Sequence, residues 1–160
     1  MKTAETELPG EAPRRSKVQN APGAPDIPDH EMIRLIGKGS YGEVWLARGV
    51  TGALRAVKVV SRVDFEFDRT FEREFEGIMQ FEPISRHHPG LVNILHIGRN
   101  VEKGFYHYVM ELGDDRTKGT DIDPETYKPR SLSTDIQQHK RLSMDDCLHY
   151  GAFLAEALYY

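Results

Sequence analysis

The chain has 160 residues, 39% of them hydrophobic and 29% charged, with a formal net charge of −4. That is about one soluble domain's worth of chain, and its balance offers no global basic field for nucleic acid or an anionic membrane. Cys147 stands alone and excludes an internal disulfide, no run of roughly 18 apolar residues supplies a spanning helix, and no apolar stretch precedes Pro9 as a secretory signal would require. A reducing, cytoplasmic setting is the expectation that follows.

Residues 1 to 29 contain Pro9, Pro13, Pro22, Pro25 and Pro28, and their only large aliphatics are Leu8, Val18 and Ile27. So little apolar surface cannot offset the entropy of ordering, which predicts a disordered tail. The basic residues Arg14, Arg15 and Lys17 leave open a partner contact or a solvated arm. Order is expected from about residue 30. Met32 to Ile36 reads as a strand, Gly37 to Gly42 punctuates it, and Val44 to Ala47 resumes it. Leu54 to Val60 is a third strand, rich in β-branched residues, and short turns between the three imply an antiparallel meander.

Phe67, Phe71, Phe75 and Ile78 then recur at helical spacing, with Pro83 limiting the helix. Two more strands are expected, over Leu91 to Ile97 and Phe105 to Leu112. The stretch 113 to 130 is polar, an insertion or a linker. Ser131 or Ser133 would cap a short helix containing Ile136, and Ser143 with Asp146 would cap another whose apolar stripe is Cys147, Gly151, Leu154, Ala155 and Leu158.

The most informative segment is Ile36-Gly37-Lys38-Gly39-Ser40-Tyr41-Gly42-Glu43-Val44. Glycines let the backbone approach a phosphate, whose oxygens exposed N–H groups can then bind. A dinucleotide fold would need a helix after this turn, and four strand-like residues follow instead. A Walker A loop would need Ser or Thr after the lysine, and Lys38 is followed by Gly39.

In the strand Arg55-Ala56-Val57-Lys58, Ala56 and Lys58 share one face and Val57 and Val59 the other. Lys58 either meets a compensating charge or stands on a solvated face. At about 100° per residue from Phe67, Glu74 falls near −20°, at the edge of the helix's apolar face. It is therefore either the acid facing Lys58 or a boundary glutamate paired with Arg73 or solvent. His87 and His88 read as turn or surface residues, and the Asp114/Asp115 and Asp121/Asp123 pairs have no EF-hand spacing.

These residues together resemble the N-terminal lobe of a protein kinase, of the bacterial serine/threonine type. Gly37, Gly39, Gly42 and Val44 satisfy GxGxxGxV, and Ala56-Val57-Lys58 matches the end of a VAIK strand, with Arg55 departing at its first position. Arg73-Glu74-Phe75 resembles the helix that supplies the lysine's partner, and Tyr108 to Leu112 the strand leading into the hinge. The resemblance implies an α+β fold. A five-stranded antiparallel sheet with one helix would form an ATP-binding lobe over residues 30 to 112, followed by a hinge or insertion over 113 to 130. Residues 131 to 160 would be the first helices of a truncated second lobe.

It also implies roles. Backbone amides at Lys38, Ser40, Tyr41 and Glu43 would cover the triphosphate, Lys58 would hold its α- and β-phosphates, and Glu74 would align Lys58. Ile36, Val44 and Ala56 would sandwich adenine, Met110 would stand behind it, and backbone groups of Glu111 and Gly113 would meet its edge. The expected partners are ATP, Mg²⁺ and an unspecified protein substrate. No His-Arg-Asp or Asp-Phe-Gly string occurs, Asp64-Phe65-Glu66 being the nearest. The chain is thus expected to hold ATP without completing transfer by itself, its metal ligands lying further on. The alternative is a non-catalytic nucleotide-sensing or interaction module.

Overall fold

The computed structural model describes residues 20–159. Residues 1 to 19 of the tail expected over 1 to 29, with its basic cluster, fall outside them. Five strands form one sheet: β1 (His30–Gly39), β2 (Gly42–Gly49), β3 (Leu54–Ser61), β4 (Ile94–Asn100) and β5 (Phe105–Met110). Their spatial order is β1-β2-β3-β5-β4, with every neighbour antiparallel. Between β3 and β4 lie a 3-10 turn (Arg62–Asp64) and the helix α1 (Asp68–Ile84); α2 (Leu132–His139) and α3 (Met144–Tyr159) follow the sheet. The α+β class and the meander of the first three strands match expectation. Strand β4 starts three residues later than the apolar run suggested, because Leu91 to Asn93 are used to bring the chain back from α1.

Period-two alternation gives the sheet two distinct faces. One carries Trp45, Ala47, Val57, Val59, Phe105 and Val109. The cover of this face comes from residues that composition assigned to the disordered tail. Ile27 is 2% exposed within this cluster, and Ala21 and Ala24 pack against it. The segment is also fastened by polar bonds: the Ala21 N–H donates to the Met32 carbonyl (2.8 Å), and the Met32 N–H to Asn20 Oδ1 (2.9 Å). Order therefore begins at least ten residues before the expected boundary. The physical reason is that an open apolar sheet face rewards even a sparse cover, burial of one Ile side chain contributing about 1.5–3 kcal/mol.

The opposite face packs Val60 and Tyr106 against Phe71 of α1, with Phe65, Phe75, Ile78 and Tyr108 half-buried around them. Phe67 is not part of this stripe; it occupies the N-cap position and is exposed. Pro83 lies in the last turn of α1, one residue before its end. The helix end is then tied to the sheet by Ser85, whose buried hydroxyl accepts the Ile94 N–H (3.0 Å) and donates to the Glu82 carbonyl (2.7 Å).

The polar stretch 113 to 130 is a closed loop with a zipped neck. The Arg116 N–H donates to the Lys128 carbonyl (2.8 Å), and the Arg130 N–H to that of Asp114 (2.9 Å). Inside, the Asp115 carboxylate is 4% exposed and accepts from the N–H groups of Thr117 (2.8 Å), Lys118 (2.9 Å) and Lys128 (2.8 Å). These bonds hold its pKa well below the usual carboxylate range, the Lys128 amide contributing most.

Ser131 caps α2 through reciprocal bonds with Thr134. At α3 the Asp146 N–H donates to Ser143 Oγ (3.0 Å), while the Ser143 hydroxyl donates to the Asp146 carboxylate (2.6 Å). Helix α3 does not bury the stripe expected for it: Cys147, Leu154 and Leu158 are exposed. Its packed side is Phe153 and Ala157, which press on Gly90 and His88 of the α1–β4 connection. A Cβ on Gly90 would come within 3.0 Å of Ala157 Cβ, and the His88 ring lies 5.4 Å from that of Phe153.

Candidate functional site

The glycine motif forms the β1–β2 hairpin. Gly39 pairs with Gly42 across a two-residue tip, Ser40–Tyr41, and Lys38 and Glu43 form an exposed ion pair at 3.0 Å. Gly37 pairs with Val44, and Ile36 sits at the irregularity between Leu35 and Gly37. Two of the motif's glycines differ in what they do. Gly42 has φ +105°, and a Cβ there would stand 2.2 Å from the Val59 carbonyl oxygen, so this position is demanded by the β2–β3 approach. Gly39 has no heavy atom within 4 Å of where a Cβ would project. No neighbouring atom therefore requires glycine there.

The remaining predicted residues lie across the sheet in two adjacent cross-strand rows. Val44, Lys58 and Tyr108 form one; Leu46, Ala56 and Met110 form the next. Hairpin, lysine and the strand entering the hinge are thus on one face, the face against which α1 packs. Lys58 is half-buried, and its Nζ lies 5.7 Å from the centroid of the Tyr108 ring, a cation–π contact.

The structure does not bring Lys58 and Glu74 into an ion pair. Among the described residues neither has an oppositely charged partner within bonding range, and Glu74 is exposed. Glu74 does act on the sheet: together with burial, the larger cause, and Tyr108, it pushes the Tyr106 hydroxyl pKa up. The acid of α1 that is paired with a sheet residue is Glu72. It binds Arg99 of β4 through two bonds (one at 2.9 Å) and lies 3.6 Å from Arg62. The Arg99 guanidinium also lies 5.0 Å from the Phe75 ring centroid, so it fastens α1 to the sheet edge by charge and by stacking.

Just after β5, where the hinge is expected, the Glu111 N–H donates to the Asn93 carbonyl (3.2 Å), and its carboxylate accepts the Asn93 N–H (3.1 Å). The Gly113 carbonyl accepts the Tyr127 hydroxyl (3.0 Å). The Glu111 carbonyl and the Gly113 N–H bond to nothing among the described residues. Those are one acceptor and one donor, the complement of adenine's amino group and N1.

Two features escaped the sequence reading. Tyr41 at the hairpin tip stacks on Phe65 (5.1 Å, 20° between planes), Phe65 meets Phe71 edge-on (5.6 Å), and Phe71 meets Tyr106 (5.2 Å). The tip is thereby coupled to α1 through aromatic rings; the period-four phenylalanines gave one half of this signal, and nothing local marked Tyr41. The second is Arg34 of β1, whose Nε donates to the Pro124 carbonyl (2.9 Å) and whose other nitrogen donates to that of Tyr127. A cavity of about 440 Å³ lies beyond the hinge among Asp114, Arg130, Leu132, Asp135, Tyr150 and Phe153; none of the predicted nucleotide residues lines it.

Among the described residues no three His, Cys, Asp or Glu side chains are grouped so as to hold a metal ion. Among the described residues no helix is long and apolar enough to cross a membrane.

No family model matches the chain. A 50-residue stretch, 31% of this chain, is 42% identical to the serine/threonine-protein kinase ppk18 of Schizosaccharomyces pombe. The match covers 4% of that protein. The likeness and the five-stranded antiparallel sheet fit the N-terminal lobe of a kinase, and they suggest a kinase-related function at that coarse level.

Proposed function

We propose that the chain is the ATP-binding portion of a protein kinase, of the bacterial serine/threonine type, which transfers the γ-phosphoryl of ATP to protein hydroxyls. The observation that carries this reading is the common face: Val44 of the glycine hairpin, Lys58 and Ala56 of β3, and Tyr108 and Met110 of β5 share one side of one sheet, and β5 leads directly to Glu111. Val44, Ala56 and Met110 supply the dispersion contacts a flat base needs, and Glu111 and Gly113 its few directed bonds. The Lys58 ammonium holds phosphate charge, and amides of the Ser40–Tyr41 tip close over the phosphates. ATP itself brings the transferable phosphoryl group, with Mg²⁺ neutralising charge on it.

Titration of a non-hydrolysable ATP analogue into wild type, Lys58→Ala and Glu74→Ala tests this. Wild-type binding that weakens at least tenfold in Lys58→Ala supports it; measurable affinity that neither substitution alters places the phosphates elsewhere. A second reading, a nucleotide-sensing module without transfer, is favoured by the separation of Lys58 from Glu74. Glu74→Ala with unchanged affinity while Lys58→Ala loses it is the pattern that reading expects.

A further inference from the structure

The loop between residues 113 and 130 reaches the proposed nucleotide site through Tyr127. This side chain is 1% exposed, its hydroxyl is spent on the Gly113 carbonyl, and its own carbonyl accepts from Arg34 of β1. The neck of the loop is zipped by the Arg116–Lys128 and Arg130–Asp114 backbone bonds, and Asp115 gathers the amides at both ends of the loop. Tyr127 is therefore held at three points, and through it the hinge is tied to the strand that carries the glycine hairpin.

The consequence concerns what the hinge shows to a base. The Tyr127 hydroxyl takes one of the two acceptor positions of the Gly113 carbonyl, so the groups of these two residues that carry no bond among the described residues are the Gly113 N–H and the Glu111 carbonyl. A purine with a 6-amino group and a free N1 satisfies both. A 2-amino group would add a donor that has to compete with the Tyr127 hydroxyl for the Gly113 carbonyl.

We propose that Tyr127 is a positioning residue of the nucleotide site, presenting the Gly113 N–H to the base edge and withholding the Gly113 carbonyl from it. This rests on the ATP reading above. Arg34 acts one step further out, fixing the Tyr127 backbone relative to β1.

The test compares ATP with 2-aminoadenosine triphosphate by direct titration on the full chain, in wild type, Tyr127→Phe and Arg34→Gln. Wild type is expected to bind the 2-amino nucleotide no more tightly than ATP. Tyr127→Phe frees the Gly113 carbonyl, so ATP affinity falls while the 2-amino nucleotide gains relative to it by about fivefold, the worth of one hydrogen bond. Arg34→Gln leaves the phenol in place and lowers both affinities without moving their ratio. A loss of fold in Tyr127→Phe is caught by its thermal midpoint, and Arg34→Gln then carries the test: a changed ratio there overturns the proposal and a uniform fall supports it. Wild-type binding with an unmoved ratio in folded Tyr127→Phe overturns this proposal alone. A wild-type chain that binds neither nucleotide overturns the ATP reading, and the proposal with it.

Discussion

Gly42→Ala is the sharpest structural perturbation in the glycine hairpin. The added methyl would start 2.2 Å from the Val59 carbonyl oxygen and 3.2 Å from Val60 Cα, both backbone atoms that no side-chain rotation can clear. Relief requires β2 to move away from β3 by roughly 1 Å at the Glu43–Val59 pair, which weakens about one ladder bond at a cost near 1 kcal/mol. Holding an alanine at φ +105° adds roughly 1–2 kcal/mol. The sum, about 2–3 kcal/mol, corresponds to a fall in Tm of roughly 4–12 °C for a chain of this size. Thermal unfolding followed by fluorescence of buried Trp45, the single tryptophan, reads this directly. Gly39→Ala is the matched control: its methyl meets nothing and its φ is ordinary, so stability holds or rises by up to about 1 kcal/mol. On the proposed ATP reading the same substitution weakens nucleotide binding, since the methyl would stand where that reading has phosphate approach. Equal stability of Gly42→Ala and wild type would refute the division of the motif into a structural and a ligand-facing glycine.

Three further outcomes are expected. His107 of β5 is 5% exposed, packed against Gly98, with Nδ1 unpartnered among the described residues, and burial lowers its pKa from 6.5 to about 4. The unfolded chain therefore binds the proton more readily, so stability present above pH 6.5 is lost as pH falls toward 4, by about 3 kcal/mol in all. Urea unfolding at pH 7 and pH 4.5 measures it, and His107→Leu should flatten that part of the profile; an equally steep profile in the variant assigns it to other groups. Asp115→Asn leaves amides of the 113–130 loop with a weaker acceptor, and faster proteolysis within the loop is the expected readout, with unchanged cleavage counting against its role as the organiser. Residues 1 to 160 should show no magnesium-dependent phosphoryl transfer, because neither an HRD nor a DFG acid is among them; turnover abolished by Lys58→Met would contradict that.

What could be read in advance follows from where each signal is stored. Val57 and Val59 against Ala56 and Lys58 is a period-two pattern local to one strand, and Phe71, Phe75 and Ile78 are a helical period local to one helix; both survive in the structure. Ile27 carries no such pattern, and its burial depends on a sheet face assembled from residues up to Val109. The 113–130 loop looks structureless because its order rests on Asp115 accepting amides up to 13 residues away and on Arg34, 93 residues before the carbonyl it binds. The alignment of the candidate residues was legible to the same extent: Val44 with Lys58 and Ala56 with Met110 pair by strand register alone. The Lys58–Glu74 contact needs a helix rotation that a wheel drawn from Phe67 does not fix, and Glu72 with Arg99 sets that rotation here.

Amide chemical-shift mapping of the ¹⁵N-labelled chain with a non-hydrolysable ATP analogue tests the central claim most directly. The predicted result is a set of perturbations at Gly39 to Gly42, around Lys58, and at Glu111 and Gly113, all diminished in Lys58→Ala. Perturbations confined to the Trp45–Val57–Val109 face, beneath the segment that carries Ile27, would contradict it.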